Sequence, residues 1–289
     1  MSAGERQPTD CESHDYWNGR LTLHAIVLLK QVPDTADLPK VEAAEVSEGN
    51  LSVTRVVNPW DEYALEEALL LKEAHGGKVT TLSLGASEAT EALKTAVAMG
   101  SDEAVLLSDP SFGDGAPWTT AYTLAQAIRQ IGEVDLVLAG RESVDGNSGL
   151  TAAAAARHLG LPSLSNVVKI REVDFEGGRI TVERLVEEGL EIASAPLPAL
   201  VSVIKGINEP RYPSFRGIRK AARMEIPIWG TGDIEDLDSE RSSEAGAAVR
   251  WTNIRKPPAR AAQCEIIEAD TVEEQAGILA DRMLAAKVI

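Results

Sequence analysis

The chain contains little cysteine, little positive charge and no long apolar run. Its 289 residues include two cysteines, Cys11 and Cys264, so this chain alone cannot build a disulfide framework, a zinc ribbon or a Cys-x-x-Cys redox centre. No segment approaches about eighteen uninterrupted apolar residues, and residues 1–20 lack the apolar middle of a signal peptide. These absences predict a soluble protein of the cytoplasm, without direct membrane insertion.

Acidic residues strongly outnumber basic ones. The chain has 45 aspartates and glutamates against 28 lysines and arginines, which gives a formal net charge of -17 at pH 7. Such a surface would repel a phosphate polymer, which argues against nucleic acid and anionic membranes as partners. The hydrophobic content of 44% is ordinary for a globular protein. Small cofactors and other proteins therefore remain as partners.

Short apolar runs alternate with helix-like segments along the chain. This alternation is typical of an α/β fold whose doubly wound, mainly parallel sheet is covered on both faces. The predicted strands span residues 24–29, 79–84, 103–107, 135–139 and 199–204. The predicted helices span residues 61–75, 87–99, 118–131 and 150–159. Asp61 is expected to cap the first of these helices.

Other segments depart from this pattern. Residues 1–20 are polar and aperiodic, which predicts a disordered N-terminal extension. Alternating residues around a Glu-Gly-Gly turn predict a β-hairpin insertion over residues 167–185. Residues 230–253 are acidic and serine-rich, and we expect an exposed linker there. The α/β domain is thereby placed at residues 21–229.

An arm follows the linker over residues 254–289. Thr271 and Glu274 have the spacing of a capping box, and apolar residues follow them at helical spacing. The chain is therefore predicted to end in an amphipathic helix, which can dock on its own domain or on a partner chain.

The most informative segment is a polar loop between the predicted strand at 135–139 and the alanine-rich helix at 150–159. At roughly ten residues it is longer than usual for such a connection. Its glycines let the backbone turn and approach a ligand closely, and the helix start favours a phosphate. These glycines are Gly140, Gly146 and Gly149. Asn147 and Ser148 are suitable helix caps.

The loop has neither the Gly-Lys-Ser/Thr of a P-loop nor a regular Gly-x-Gly-x-x-Gly. It therefore predicts nucleotide binding without machinery for hydrolysis. A plain capped turn between a strand and a helix fits this segment equally well.

Three chain segments are expected beside this loop, at residues 28–33, 58–61 and 84–87. Ligands of open α/β sheets bind beyond the carboxyl ends of the strands, where the strand order reverses. Lys30 can neutralise a phosphate there or remain solvated, and Trp60 can stack on a ring or fill the core. No catalytic set of residues emerges from the sequence. No metal site is predicted either, because the four histidines lack metal-ligand spacing.

Residues 211–223 reverse the sign of the local charge. This segment places five cations within thirteen residues, with Tyr212 and Phe215 among them. Exposed aromatic residues flanked by arginines are typical of protein-binding hot spots, and the cations would attract an acidic partner. The alternative is a basic surface loop whose two aromatic residues are tucked into the fold.

Six motifs occur in a fixed order along the chain: Lys30-Gln-Val-Pro-Asp34, Asn58-Pro-Trp-Asp61, Glu66-Glu-Ala-Leu-Leu-Leu-Lys72, Ala98-Met-Gly-Ser-Asp-Glu-Ala104, Gly140-Arg-Glu-Ser-Val-Asp-Gly146 and Asn208-Glu-Pro-Arg-Tyr212. Together they resemble the beta subunit of electron transfer flavoproteins, over about residues 22–230. The tail from residue 254 is similar to the arm that crosses to the alpha subunit in that family.

The resemblance implies an electron carrier subunit rather than a complete enzyme. The alpha subunit of the heterodimer would hold the redox-active FAD, and this chain would support that flavin and bind an adenine nucleotide of its own. Electrons would pass from flavoprotein dehydrogenases to a quinone reductase or a similar acceptor. The implied nucleotide contacts are Leu28, Asn58, Pro59, Trp60, Asp61, Leu84, Gly140, Arg141, Glu142, Ser143, Val144, Asp145, Gly146, Asn147, Ser148, Gly149, Leu150 and Thr151.

The same resemblance assigns the basic segment to the recognition of dehydrogenases. The implied partner contacts are Arg211, Tyr212, Pro213, Ser214, Phe215, Arg216, Gly217, Ile218, Arg219 and Lys220. Phe215 stands at the position of the family's anchoring leucine, so a larger anchor suggests a different partner pocket.

Family members that hold a second FAD for electron bifurcation usually show Asp-Gly-x-Thr-Ala-Gln-Val-Gly-Pro in the loop. This chain lacks the Gln and the Gly-Pro, with Leu150 and Ala152 in the altered stretch. AMP is therefore favoured over a second FAD. Two other readings are a non-redox adenine-nucleotide-binding module of the universal-stress type and an ATP-using ligase. The ligase ranks last, because residues 30–34 do not form a phosphate-grasping loop.

Overall fold

A computed structural model of the chain describes residues 22–48, 51–112, 116–247, 249, 254–258 and 264–288. The predicted N-terminal extension at residues 1–20 lies outside these residues. The strands are β1 (Leu23–Leu28), β2 (Gln31–Pro33), β3 (Arg55–Val57), β4 (Gly77–Leu84), β5 (Glu103–Leu107), β6 (Leu136–Gly140), β7 (Ser163–Asp174), β8 (Arg179–Val186), β9 (Gly189–Pro196), β10 (Ala199–Val203) and β11 (Ile228–Trp229). The helices are α1 (Ala43–Glu48), α2 (Pro59–His75), α3 (Thr90–Met99), α4 (Pro117–Ile131), α5 (Thr151–Leu159), α6 (Phe215–Ala221), α7 (Ser239–Ser242) and α8 (Val272–Ala285).

Within the described ranges, nine strands form one sheet in the order β11-β5-β4-β1-β6-β10-β7-β8-β9. Pairing is parallel from β11 to β7 and antiparallel from β7 to β9. Every residue of β1, β6 and β10 is buried, because helices cover both faces of the sheet. Residues of α2 belong to one apolar cluster, and residues of α4 and α5 belong to another. The prediction of a doubly wound α/β fold is confirmed.

The predicted hairpin is part of a larger antiparallel unit. β7 and β8 form the hairpin, and β9 adds a third strand that the sequence interpretation missed. The apolar side chains of Leu190 and Ile192 are exposed in β9, while small residues such as Ala195 face the core. The strand therefore lacks the apolar-in, polar-out alternation that identifies a half-buried strand. β7 also pairs with β10, so the unit extends the main sheet.

The segment expected to be an exposed linker is partly docked. Over residues 230–247 most side chains are accessible, but Ile234 is buried against the α4 cluster. Side chains of Tyr122, Gln126 and Gln130 on α4 hydrogen-bond backbone atoms of this segment at 2.8–3.0 Å. The segment is therefore attached to the domain at these points, because polar side chains of α4 supply partners that its local sequence does not reveal. The linker bounds 230–253 stay a prediction.

The C-terminal helix α8 begins as predicted. The Thr271 side chain accepts a hydrogen bond from the backbone N–H of Glu274 at 3.2 Å. No residue of α8 is buried, and Val272 and Leu279 of its apolar stripe are exposed. Docking of this helix on its own domain is therefore not observed. In the part of the chain that the structure describes, no helix has the length and apolar character needed to cross a bilayer.

Removal of residues 264–289 should change the free energy of unfolding by less than about 0.5 kcal/mol, because α8 buries no residue in this chain. Urea denaturation of the shortened and full-length chains measures this difference. Ile234→Ala serves as the control for sensitivity, with an expected loss of about 2 kcal/mol from a buried site. A comparable loss on removal of α8 would contradict the prediction.

Candidate functional site

The polar loop follows β6 at the point where the strand order reverses. From β1 the chain continues through β4 to β5 on one side of the sheet, and it then returns to place β6 on the other side of β1. The carboxyl ends of β1 and β6 are thus neighbours with helices leaving in opposite directions. This arrangement creates the crevice in which open α/β sheets bind ligands.

Contrary to the prediction, Asp61 does not cap α2. The helix begins at Pro59 with Asn58 as the residue before it. Asp61 lies inside the first turn, and its buried carboxylate accepts hydrogen bonds from the backbone N–H groups of Lys30, at 2.8 Å, and Gly140, at 3.2 Å. Burial raises the pKa of Asp61 to about 7, although these hydrogen bonds act in the opposite direction. One side chain therefore ties α2 to the ends of β1 and β6.

Asn58 holds the loop from the same helix start. Its side-chain amide donates to the carbonyl oxygen of Glu142 at 2.9 Å and accepts from the N–H of Val144 at 3.2 Å. The residue is fully buried, so these two bonds satisfy polar atoms that water cannot reach. The Asn58 side chain bonds backbone atoms of the loop, which leaves the outward side of the loop accessible.

Lys30 forms an ion pair with the loop. Its Nζ lies 2.7 Å from both carboxylate oxygens of Asp145. Desolvation acts to raise the pKa of Asp145, but hydrogen bonds from Lys30 and Ser143 outweigh it, so the pKa is lowered. The positive charge expected to meet a phosphate is therefore shared with a carboxylate.

The loop glycines have different roles. Gly149 adopts a φ of +61°, in the left-handed region that favours glycine. Gly140 is required by a close approach to α2: a Cβ atom there would lie 2.5 Å from Asp61 Oδ1 and 2.6 Å from the carbonyl carbon of Trp60. Its small size thus serves packing against a helix rather than contact with a ligand. Gly146 has neither constraint, since a Cβ there would lie 3.3 Å from Ser143 Oγ.

The start of α5 has no side-chain cap. Leu150 occupies the position before the helix and makes no capping hydrogen bond. The prediction that Asn147 and Ser148 cap this helix is therefore wrong, because the chain turns at Asn147 with a φ of +48° before the helix begins. The first intrahelical backbone bond runs from Ala154 N to Leu150 O. The N–H groups of the first turn consequently remain available to an anion.

The other predicted contact residues differ in their access to solvent. Leu28 is buried, so only its backbone can reach a ligand. Trp60, Leu84 and Thr151 are half-buried, so Trp60 is not solely a core residue. Pro59 and the loop residues Arg141, Asp145, Gly146, Asn147, Ser148, Gly149 and Leu150 are exposed.

Two cations of the basic segment are bonded to other parts of the fold. The Arg211 guanidinium contacts both carboxylate oxygens of Glu66, at 2.8–3.1 Å, and Glu73 at 2.6 Å. Lys220 donates to the carbonyl oxygen of Ser101 at 2.8 Å. These two cations are thereby engaged by the fold. Sequence reasoning missed the acidic partners, although Glu66 and Glu73 lie seven residues apart on one helix face.

The aromatic residues of this segment are not tucked into the fold. Tyr212 is 93% exposed and Phe215 is 89% exposed, so the alternative of buried aromatics is wrong. Much of the segment forms α6, whose N-terminus is capped by Ser214 through a bond from Gly217 N. Gly217 packs on α3, where a Cβ atom would lie 2.0 Å from Ala98 O.

This packing leaves one compact exposed surface on α6 and the residues directly after it. Arg216, Arg219 and Arg223 are exposed beside Phe215, and all four border the same shallow groove. Ile218 is also half exposed on this helix. The surface combines an apolar anchor with cations, as expected for contact with an acidic partner.

Gly140→Ala should lower the free energy of unfolding by about 2 kcal/mol, because the added methyl group overlaps the start of α2. It should also speed amide hydrogen exchange in the loop. Gly146→Ala is the matched control, since Ser143 can rotate away. Urea denaturation and hydrogen exchange measure both variants, and equal behaviour of the two would refute the assigned packing role.

Arg211→Ala should destabilise the fold by about 2 kcal/mol, because the nearly buried carboxylate of Glu66 loses its cation. Arg219→Ala removes an exposed cation of the same segment and should change stability by less than about 0.5 kcal/mol. Thermal denaturation of both variants provides the comparison. Similar stability would mean that Arg211 is not a structural residue.

Comparison with known proteins identifies relatives over most of the chain. The family model described as electron transfer flavoprotein domain matches residues 51–233. Protein FixA of Azorhizobium caulinodans is 35% identical over 250 residues, which cover 85% of this chain and 89% of that protein. The electron transfer flavoprotein subunit beta of Megasphaera elsdenii is 33% identical over 276 residues, or 92% of this chain and all of that subunit.

The caffeyl-CoA reductase-Etf complex subunit CarD of Acetobacterium woodii is 35% identical over 268 residues, which cover 92% of this chain and 100% of that subunit. These matches confirm the resemblance to beta subunits that the six motifs indicated. The chain belongs to the electron transfer flavoprotein family.

Proposed function

We propose that this chain is the beta subunit of a heterodimeric electron transfer flavoprotein. It would become redox-active only with its alpha subunit, accept electrons from flavoprotein dehydrogenases and pass them to a quinone reductase or a similar acceptor. FAD held mainly by the alpha subunit would supply the redox chemistry when bound. The observation that carries the proposal is the loop after β6, fixed by Asn58 and Asp61 at the sheet crevice in a chain of this family.

Several features of the loop favour an adenine nucleotide as its ligand. The uncapped N-terminus of α5 offers N–H groups and the positive end of a helix dipole to a phosphate. The left-handed turn at Gly149 and the exposure of residues 145–150 leave these groups accessible. Half-buried Trp60 and Leu84 add apolar surface at the same end of the sheet. We favour AMP as this nucleotide, and a second FAD is the alternative.

The exposed surface of α6 would meet the dehydrogenase. Phe215 would insert into an apolar pocket of the partner, and Arg216, Arg219 and Arg223 would face acidic groups around it. Arg211 and Lys220 would act indirectly, since the fold already engages both side chains. The exposed α8 and residues 254–258 would contact the alpha subunit.

Co-expression of this chain with its alpha subunit tests the proposed function. Purified heterodimer should contain one FAD and one AMP per pair, measured by flavin absorbance and by chromatography of the released nucleotides. Two FAD per pair would instead support the bifurcating alternative. A stable protein without flavin would reject the electron carrier and favour a non-redox adenine-nucleotide-binding module.

Phe215→Ala should reduce the rate constant for reduction by the dehydrogenase at least about tenfold, because an exposed aromatic anchor is lost. Flavin content should remain unchanged. Phe215→Leu should retain more activity than the alanine variant, and Leu38→Ala, an exposed apolar residue on another element, should have no effect. Stopped-flow reduction of the heterodimer measures all three, and loss of flavin in Phe215→Ala would show a structural role.

A further inference from the structure

Asp61 is the buried acid at the junction of three parts of the candidate site. Its two oxygens bond different partners: Oδ2 accepts from the N–H of Lys30, and Oδ1 accepts from the N–H of Gly140. Lys30 in turn reaches Asp145 in the middle of the loop, and Gly140 is the residue at which the loop leaves β6. The state of one carboxyl group therefore acts on both the start and the centre of the loop.

The charges near Asp61 leave its ionised form poorly compensated. Its hydrogen-bond donors are uncharged: the backbone amides of Lys30 and Gly140 and the side-chain amide of Asn58. Lys30 is the cation that favours ionisation, but its ammonium group is paired with Asp145. Arg141 and Glu142 of the loop face each other, and Glu62 on α2 adds a further carboxylate. Because desolvation dominates, the pKa of Asp61 is about 7, so both forms are populated near neutral pH.

Protonation of Asp61 weakens one of the two carboxyl oxygens that accept hydrogen bonds at this site. A neutral carboxyl group carries a hydrogen on one oxygen, and that oxygen becomes a weaker acceptor for the N–H group it faces. The longer bond, from Gly140 at 3.2 Å, is the weaker of the two and is lost first. Gly140 approaches Trp60 and Asp61 so closely that no Cβ would fit, and we expect the loop to relax away from α2 when this bond weakens.

We propose that Asp61 is a positioning residue through which the loss of a single proton orders the loop after β6 and tightens its hold on an adenine nucleotide. This inference rests on the proposed nucleotide site. The direction of the pKa change follows from linkage. If the nucleotide binds the ionised form more tightly, binding must lower the pKa of Asp61. Direct repulsion between a phosphate and Asp61 would have the opposite sign, so the two effects are distinguishable.

Isothermal titration of the full-length chain with AMP, from about pH 5.5 to about pH 8.5, tests the proposal. Asp61→Asn keeps one acceptor oxygen and places N–H donors at the other position, so it resembles the protonated acid at every pH. It should bind AMP about tenfold more weakly than the wild type at the alkaline end, and the two affinities should converge at the acid end. The ionisation of AMP itself is common to both proteins and cancels in their ratio.

Glu62→Gln is the matched control, because burial also raises the pKa of this neighbour on the same helix turn. Its affinity for AMP should equal that of the wild type at each pH. The proposal would be overturned if the ratio of the AMP affinities of the wild type and Asp61→Asn were independent of pH or changed in the opposite direction. Absence of AMP binding to the wild type at every pH would instead refute the nucleotide site on which the proposal rests.

If Asp61→Asn does not fold, carbon-13 NMR of wild-type protein labelled at aspartate carboxyl carbons provides a second test. One carboxyl resonance should titrate near neutral pH in the free protein. Saturation with AMP should move its midpoint about one pH unit downward, which is the tenfold affinity ratio expressed as a pKa change. An unchanged or raised midpoint would overturn the proposal.

Discussion

The candidate site depends on the first turn of α2, where two buried polar side chains hold the ends of neighbouring strands. Asp61 accepts the N–H groups of Lys30 and Gly140, and Asn58 holds two backbone groups of the following loop. These bonds must form, because a buried donor or acceptor without a partner costs more free energy than a paired one contributes. The position of the loop is thereby fixed without using the groups on its outer side.

The same helix also supports the second candidate surface. Further along α2, Glu66 and Glu73 hold Arg211, and the side-chain amide of Asn208 donates to Glu67 at 2.9 Å. These contacts position the segment that leads into α6, and Gly217 then packs this helix on α3. One helix therefore places both the nucleotide loop and the proposed partner surface, so a change in α2 can affect two functions at once.

The sequence was a good guide where structure is determined by local periodicity. The apolar runs of β1, β4, β5, β6 and β10 and the spacing in α2, α4 and α5 led to elements within a few residues of those observed. It failed where the pattern was weak or the partner distant. β9 carries exposed apolar residues and small inward ones, and the acidic segment around Ile234 is held by side chains of α4.

By itself, the sequence determined the alternation of the main strands and helices and the family to which the chain belongs. Both depend on patterns of neighbouring residues or on short motifs. The position of the switch in the strand order came from the structure. Only the tertiary structure decided that Asp61 joins strand ends instead of capping a helix, and that Arg211 is paired with carboxylates of α2 while Phe215 is exposed. The physical reason is separation along the chain: Asp61 meets Gly140 across 79 positions and Arg211 meets Glu66 across 145, so folding alone brings these partners together.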